Sequence, residues 1–120
     1  MMEPVGTPPV CVEVVITAES ADWLADFTSA LLEDRITACA DVAPVRTTYR
    51  RDGEVVDTVR SRAHLHTRAA LVTEILDRTE REHPDEVTSV VVLRLLDGNP
   101  DYLQWIVRET AATAHLVHTR

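Results

Sequence analysis

The chain has 120 residues, 45% of them apolar and 27% charged, and its 20 acidic and 12 basic side chains leave a net charge of −8. This is the composition of one folded globular domain and excludes a disordered tail. Every basic residue is an arginine, and an acidic, lysine-free chain is a poor partner for nucleic acid or an anionic membrane, because both reward a basic surface.

Residues 1–9 hold three of the six prolines and read as a flexible leader. They lack the basic start and apolar stretch of a secretory signal. No apolar run approaches the roughly 20 residues of a membrane-spanning helix. A single domain is expected over 10–111, with 112–120 a tail or short edge strand. The first strand is predicted over 10–17, with Val10, Val12, Val14 and Ile16 on one face and Cys11, Glu13, Val15 and Thr17 on the other. Ser20 caps a helix over about 20–35, with Trp23, Phe27 and Leu31 spaced by four.

The stretch 36–51 reads as extended, with Pro44 marking an edge or a bulge. Asp52-Gly53 signals a tight hairpin, and the return strand runs from Glu54 to about His66. Thr67 is expected to cap a second helix over 68–83, whose Leu71, Val72, Ile75 and Leu76 form an apolar stripe that Pro84 ends. A strand over 89–96 and a helix begun by Asn99-Pro100 complete the chain, with Leu103, Ile106 and Val107 facing inward.

The order βαββαβ with an appended helix is that of an α+β, ferredoxin-like sandwich: one antiparallel sheet with two helices on one face. The other face is then open. The hairpin arms could reach roughly 40–50 Å at about 3.3 Å per residue, beyond a compact domain of this length, whose radius of gyration is about 14 Å. An overhanging hairpin and unpaired edges favour assembly with further copies.

Alternation on the return strand places Arg60, Arg62, His64 and His66 on the open face, where Glu13 and Arg94 could join them. Val55, Val59, Ala63 and Leu65 are expected to meet the helices. The histidine pair could take a divalent metal, but the two arginines beside it disfavour a cation and suit a small anion better. Tyr102 and Trp105 share a helix face and, with Tyr49, suit an interface or a small-ligand cleft that Glu86 and Asp101 could make polar. Cys11 and Cys39 are 28 positions apart in apolar contexts and read as reduced, buried thiols in a cytoplasmic protein. No glycine-rich phosphate loop is present, and Ser20, Ser29, Ser61 and Ser89 lack a nucleophile-elbow context, so the chain does not read as an enzyme.

Four stretches resemble the CutA divalent-cation tolerance family: Ile36-Thr37-Ala38-Cys39-Ala40; Tyr49-Arg50 with the charged turn at Gly53-Glu54; His83-Pro84-Asp85-Glu86-Val87; and Gly98-Asn99-Pro100-Asp101-Tyr102-Leu103-Gln104-Trp105. The resemblance implies a ferredoxin-like protomer, a homotrimer shaped like the PII signalling proteins, a cytoplasmic setting and an association with copper and other divalent cations. In that trimer the open sheet face meets neighbouring subunits. The copper site proposed for one family member falls on Ile16, Glu82 and His83, so His83 with Glu82 is the metal pair the resemblance suggests. The chain departs from the family pattern at Ile16, Arg51, His66, Asp85 and Thr88. The reading is a non-enzymatic, trimeric, metal-binding or metal-responsive module with no required cofactor. Its alternatives are a PII-like regulator holding a small ligand in clefts between subunits and a trimeric accessory subunit for another protein.

Overall fold

The computed structural model describes residues 9–112, so the expected leader and tail fall, apart from Pro9 and Ala112, outside the described residues. The elements run β1 (Cys11–Ala18), α1 (Ala21–Glu33), β2 (Cys39–Arg51), β3 (Glu54–Arg68), α2 (Val72–Glu82), β4 (Ser89–Arg94) and α3 (Pro100–Glu109). The strands form one antiparallel sheet in the order β2-β3-β1-β4. This is the ferredoxin-like arrangement, with β1 and β3 central and β2 and β4 at the edges.

The inner face of β1 is fully apolar: Val12, Val14, Ile16 and Ala18 are buried. With Ala63 and Leu65 of β3 they pack against Leu24, Phe27 and Leu31 of α1, and against Leu71 and Ile75 beside and on α2. Ser20 starts α1 by accepting a hydrogen bond from the Trp23 amide at 3.0 Å. The helix stops in a Schellman turn, in which Arg35 and Ile36 donate to the Leu32 and Leu31 carbonyls and Arg35 takes φ +60°. The third helix lies on the other side of the sheet, since Tyr102 reaches the open-face residues His66 and Cys39. Ile106 and Cys11 are buried beneath it, outside the main core.

Several expectations change. Thr67 does not cap a helix: β3 continues through Arg68, and the Thr67 hydroxyl donates to the Ile36 carbonyl. A 3-10 turn over Ala69–Leu71 leads into α2 without a side-chain cap. The fourth strand ends at Arg94, and Leu76 is exposed. Arg94 is paired with Val12, which puts it on the helix side rather than beside the arginine–histidine stripe. Val55 and Val59 do not meet the helices, because β1 pairs with β3 only between Ser61 and Arg68.

Beyond Ser61 the β2–β3 hairpin therefore stands alone for seven residues of β3, about 23 Å at about 3.3 Å per residue. It gives the protomer its extents of 61 × 33 × 22 Å. Val55 and Val59 lie on this overhang, 64% and 67% exposed. Its tip has Asp52 at φ +50° and Gly53 at φ +82°, the two positive angles that a type I′ turn requires. Replacing both residues with valine is expected to cost about 1–3 kcal/mol per position, read as a lower urea midpoint. An unchanged midpoint would contradict the turn.

Candidate functional site

The open sheet face carries a continuous polar cluster. It is built by strand register: His64 and His66 of β3 lie opposite Val15 and Glu13 of β1, and opposite Asp41 and Cys39 of β2. Alternation points this set away from the helices. The Glu13 carboxylate gathers both imidazoles: Oε1 accepts from His66 Nε2 at 2.8 Å, and Oε2 faces His64 Nδ1 at 3.2 Å. With the His66 proton on Nε2, its Nδ1 accepts from the Tyr102 hydroxyl, and the Cys39 thiol completes the chain to that hydroxyl at 3.6 Å. A single line of hydrogen bonds thus joins β2, α3, β3 and β1.

The charges follow from this geometry. Donation from His66 holds the Glu13 carboxyl below its usual value, burial opposes the shift, and His64 adds to it. Burial, with the Cys39 hydrogen bond, pushes the Tyr102 hydroxyl upward, so it stays a neutral phenol. A depressed carboxyl contributes stability above its unfolded value and loses it as pH falls through the folded value. Stability is therefore expected to decline as pH drops below about 4.5, the usual value for Glu13. Glu13→Gln should flatten that decline in urea titrations at pH 3–5, and an unchanged slope would count against the cluster.

The arginines further along the face have partners within the protomer. Arg62 Nε donates to Thr17 Oγ1 at 2.9 Å. Arg60 pairs with Asp85 at 3.3 Å, and its guanidinium lies 5.5 Å from the Tyr49 ring centroid. Asp85 also accepts the Glu19 amide at 3.1 Å. Substituting Arg62 removes a hydroxyl partner only, with an expected cost of about 1 kcal/mol.

The residues singled out in the sequence do not all converge. Tyr102 and Trp105 stack at 5.7 Å between centroids, but Tyr49 belongs to the overhang, ten residues along β2 from Cys39. Glu82, Glu86 and Asp101 are exposed. His83 packs against Trp23 in a tilted contact with ring centroids 4.7 Å apart, its Nε2 donates to the Thr17 carbonyl at 2.9 Å, and its Nδ1 accepts the Asp85 amide at 3.1 Å. Both ring nitrogens are thus engaged with backbone, and a metal at the suggested His83–Glu82 pair would have to displace one of these bonds. Among the described residues, no group of three or more histidine, cysteine, aspartate or glutamate side chains is placed to hold a metal ion as it stands.

Two links escaped the sequence reading. The Cys39–Tyr102–His66 chain depends on α3 folding over the open face, which no local pattern signals. The second is an ion cluster between α1 and α2, where Arg78 pairs with Asp34 at 2.8 Å and with Glu74 at 2.9 Å. The four-residue spacing of Glu74 and Arg78 was its visible half.

Comparison with known proteins adds independent findings. Residues 12–109 match the family described as CutA1 divalent ion tolerance protein. The divalent-cation tolerance protein CutA of Thermus thermophilus is 32% identical over 98 residues, covering 81% of this chain and 95% of that protein. The crystal structure of CutA1 from Pyrococcus horikoshii superposes with a TM-score of 0.78 at 29% identity, over 83% of this chain and 98% of that one. CutA1 from Oryza sativa, at 20% identity, shares the fold with a TM-score of 0.83 over 90% of this chain and all of that one.

Proposed function

The chain belongs to the CutA1 divalent ion tolerance family, and from that premise we propose that it is a non-enzymatic, trimeric module that binds divalent cations, copper among them, at the open face of its sheet. The observation that carries this reading is the convergence of His64 and His66 on the Glu13 carboxylate. Two imidazoles and a carboxylate are a donor set suited to copper or zinc. A cation there would take the place of the contacts from His64 Nδ1 and His66 Nε2 to Glu13, with each imidazole neutral and its proton moved to the other ring nitrogen. Three donors are not poised in one protomer, so further donors are assigned to side-chain rotation and to a neighbouring copy.

The trimer is supported by the two sheet edges, unpaired among the described residues, and by the overhanging hairpin with its exposed valines. The two free cysteines suit a reducing, cytoplasmic setting. Light scattering at micromolar concentration is expected to give about three times the protomer mass, and a monomer would end this part of the proposal.

Calorimetric titration with zinc tests the site. The His64→Ala/His66→Ala variant is expected to lose at least about tenfold in affinity, and His83→Ala to change it by less than about twofold. Affinity should fall as pH drops through about 6.5, because imidazole must be deprotonated to bind. The reverse ranking of the two variants would return the site to His83 and Glu82.

A further inference from the structure

The second ring nitrogen of His66 belongs to a separate arrangement on the open face. His66 donates from Nε2 to Glu13 Oε1 at 2.8 Å, which leaves the lone pair on Nδ1 as the acceptor. A histidine that ligates a metal through one ring nitrogen characteristically donates its other N–H to a carboxylate, which fixes the tautomer and raises the basicity of the ligating nitrogen. Glu13 and His66 already stand in that relation. What faces Nδ1 is the Tyr102 hydroxyl, and the Cys39 thiol lies 3.6 Å from the same oxygen. One hydroxyl group thus sits between a thiol and an imidazole nitrogen.

Strand register brings the two donors together. Cys39 of β2 is directly opposite His66 of β3, and the Cβ atoms of such partners are about 4.5–5.5 Å apart on one face, which lets both side chains reach one cation. Cys39 is a free thiol, half-buried like His66. Two donors fall short of the four that zinc takes. They suffice for copper(I) or silver(I), soft cations that accept linear coordination by sulfur and nitrogen, and thiolate ligands select copper(I). Charge agrees with this class. The next residue along the same face is Arg68, whose guanidinium donates to the Thr110 hydroxyl and the Ala112 carbonyl and forms no ion pair among the described residues. A thiolate cancels a monovalent cation and leaves a neutral centre beside that arginine, whereas a divalent cation would leave a net positive charge there.

We propose that Cys39 Sγ and His66 Nδ1 bind a soft monovalent cation, the class of copper(I) and silver(I), with Glu13 behind the imidazole as its supporting carboxylate. Binding moves the Tyr102 hydroxyl aside. The thiol proton leaves to water as the sulfur–metal bond forms, and no electron is transferred, because the cation enters already reduced. The site stands apart from the divalent one, which engages the opposite nitrogen of the His66 ring together with His64.

Copper(I), kept reduced with ascorbate under nitrogen, is the probe, titrated into the reduced full chain in competition with bicinchoninate. The wild type should take up one copper(I) per protomer and develop the ultraviolet charge-transfer band of a copper–thiolate bond. Cys39→Ser and His66→Ala should each weaken binding by at least about tenfold, the loss that removal of a mere supporting group already causes. Cys11→Ala, which removes the other thiol, should leave it unchanged. Tyr102→Phe should tighten it, because copper(I) then displaces no hydroxyl bonded to both donors. Cys39→Ser changes one atom and should keep the wild-type far-ultraviolet spectrum and zinc affinity, so failure of the divalent site and failure of this one are read separately.

No copper(I) taken from bicinchoninate by the wild type, equal affinity in Cys39→Ser, loss of binding with Cys11 instead, or weaker binding by Tyr102→Phe would overturn the proposal.

Discussion

Replacing Arg78 with alanine is expected to destabilise the fold by about 3–5 kcal/mol, the usual cost of removing one partner from a buried ion cluster. Arg78 links α1 to α2 by bonding Asp34 and Glu74, whose side chains are 4% and 2% exposed. Alanine removes the positive charge and leaves two carboxylates close together away from water, each still carrying its desolvation cost. Urea denaturation should show the loss as a lower midpoint with little change in slope. The exposed pair Arg46–Asp57, 2.6 Å apart on the overhang, is the control: Arg46→Ala should barely move the midpoint. A small effect at Arg78, or equal effects at the two sites, would show that the α1–α2 cluster is not a structural anchor.

Val55→Asp/Val59→Asp is expected to convert the proposed trimer to monomers while leaving each protomer folded. Both valines are more than half exposed and lie where the hairpin has left its own β1 and helices behind. Within one protomer a charge there stays hydrated and costs little. In an assembly that covers the hairpin, each substitution buries an unpaired carboxylate, at several kcal/mol per site, repeated in every copy. Light scattering should report monomer mass with a native far-ultraviolet spectrum. A trimer that persists in this variant would mean that the hairpin's helix-side face is not part of the interface.

The sequence exposed what is local or periodic. Alternation in 54–68 placed His64 and His66 on one face because every second β residue must share a face, and the structure keeps that parity through the whole strand. The Asp52-Gly53 turn was legible because few residues tolerate positive φ in succession. The Ser20 cap was legible because a short hydroxyl side chain reaches the third amide onward.

What failed was set by tertiary partners. Thr67 has the chemistry of a cap, yet strand pairing with β1 extends through Arg68 and gives its hydroxyl to Ile36 instead. The inner pattern of β3 could not show that Val55 and Val59 lie past the end of β1, since a periodic sequence does not record where the neighbouring strand stops. For His83 the metal role awaits titration; what the sequence did not show is that its ring bonds the Thr17 carbonyl and the Asp85 amide, partners that no spacing announces.

Native mass spectrometry of the untagged protein, loaded with zinc or copper and buffer-exchanged, reads assembly and bound cation in one spectrum. The expected spectrum is a trimer carrying bound cations, with the cations lost in the His64→Ala/His66→Ala variant and kept in His83→Ala. A metal-free trimer at saturating cation, or cations lost only with His83, would contradict it.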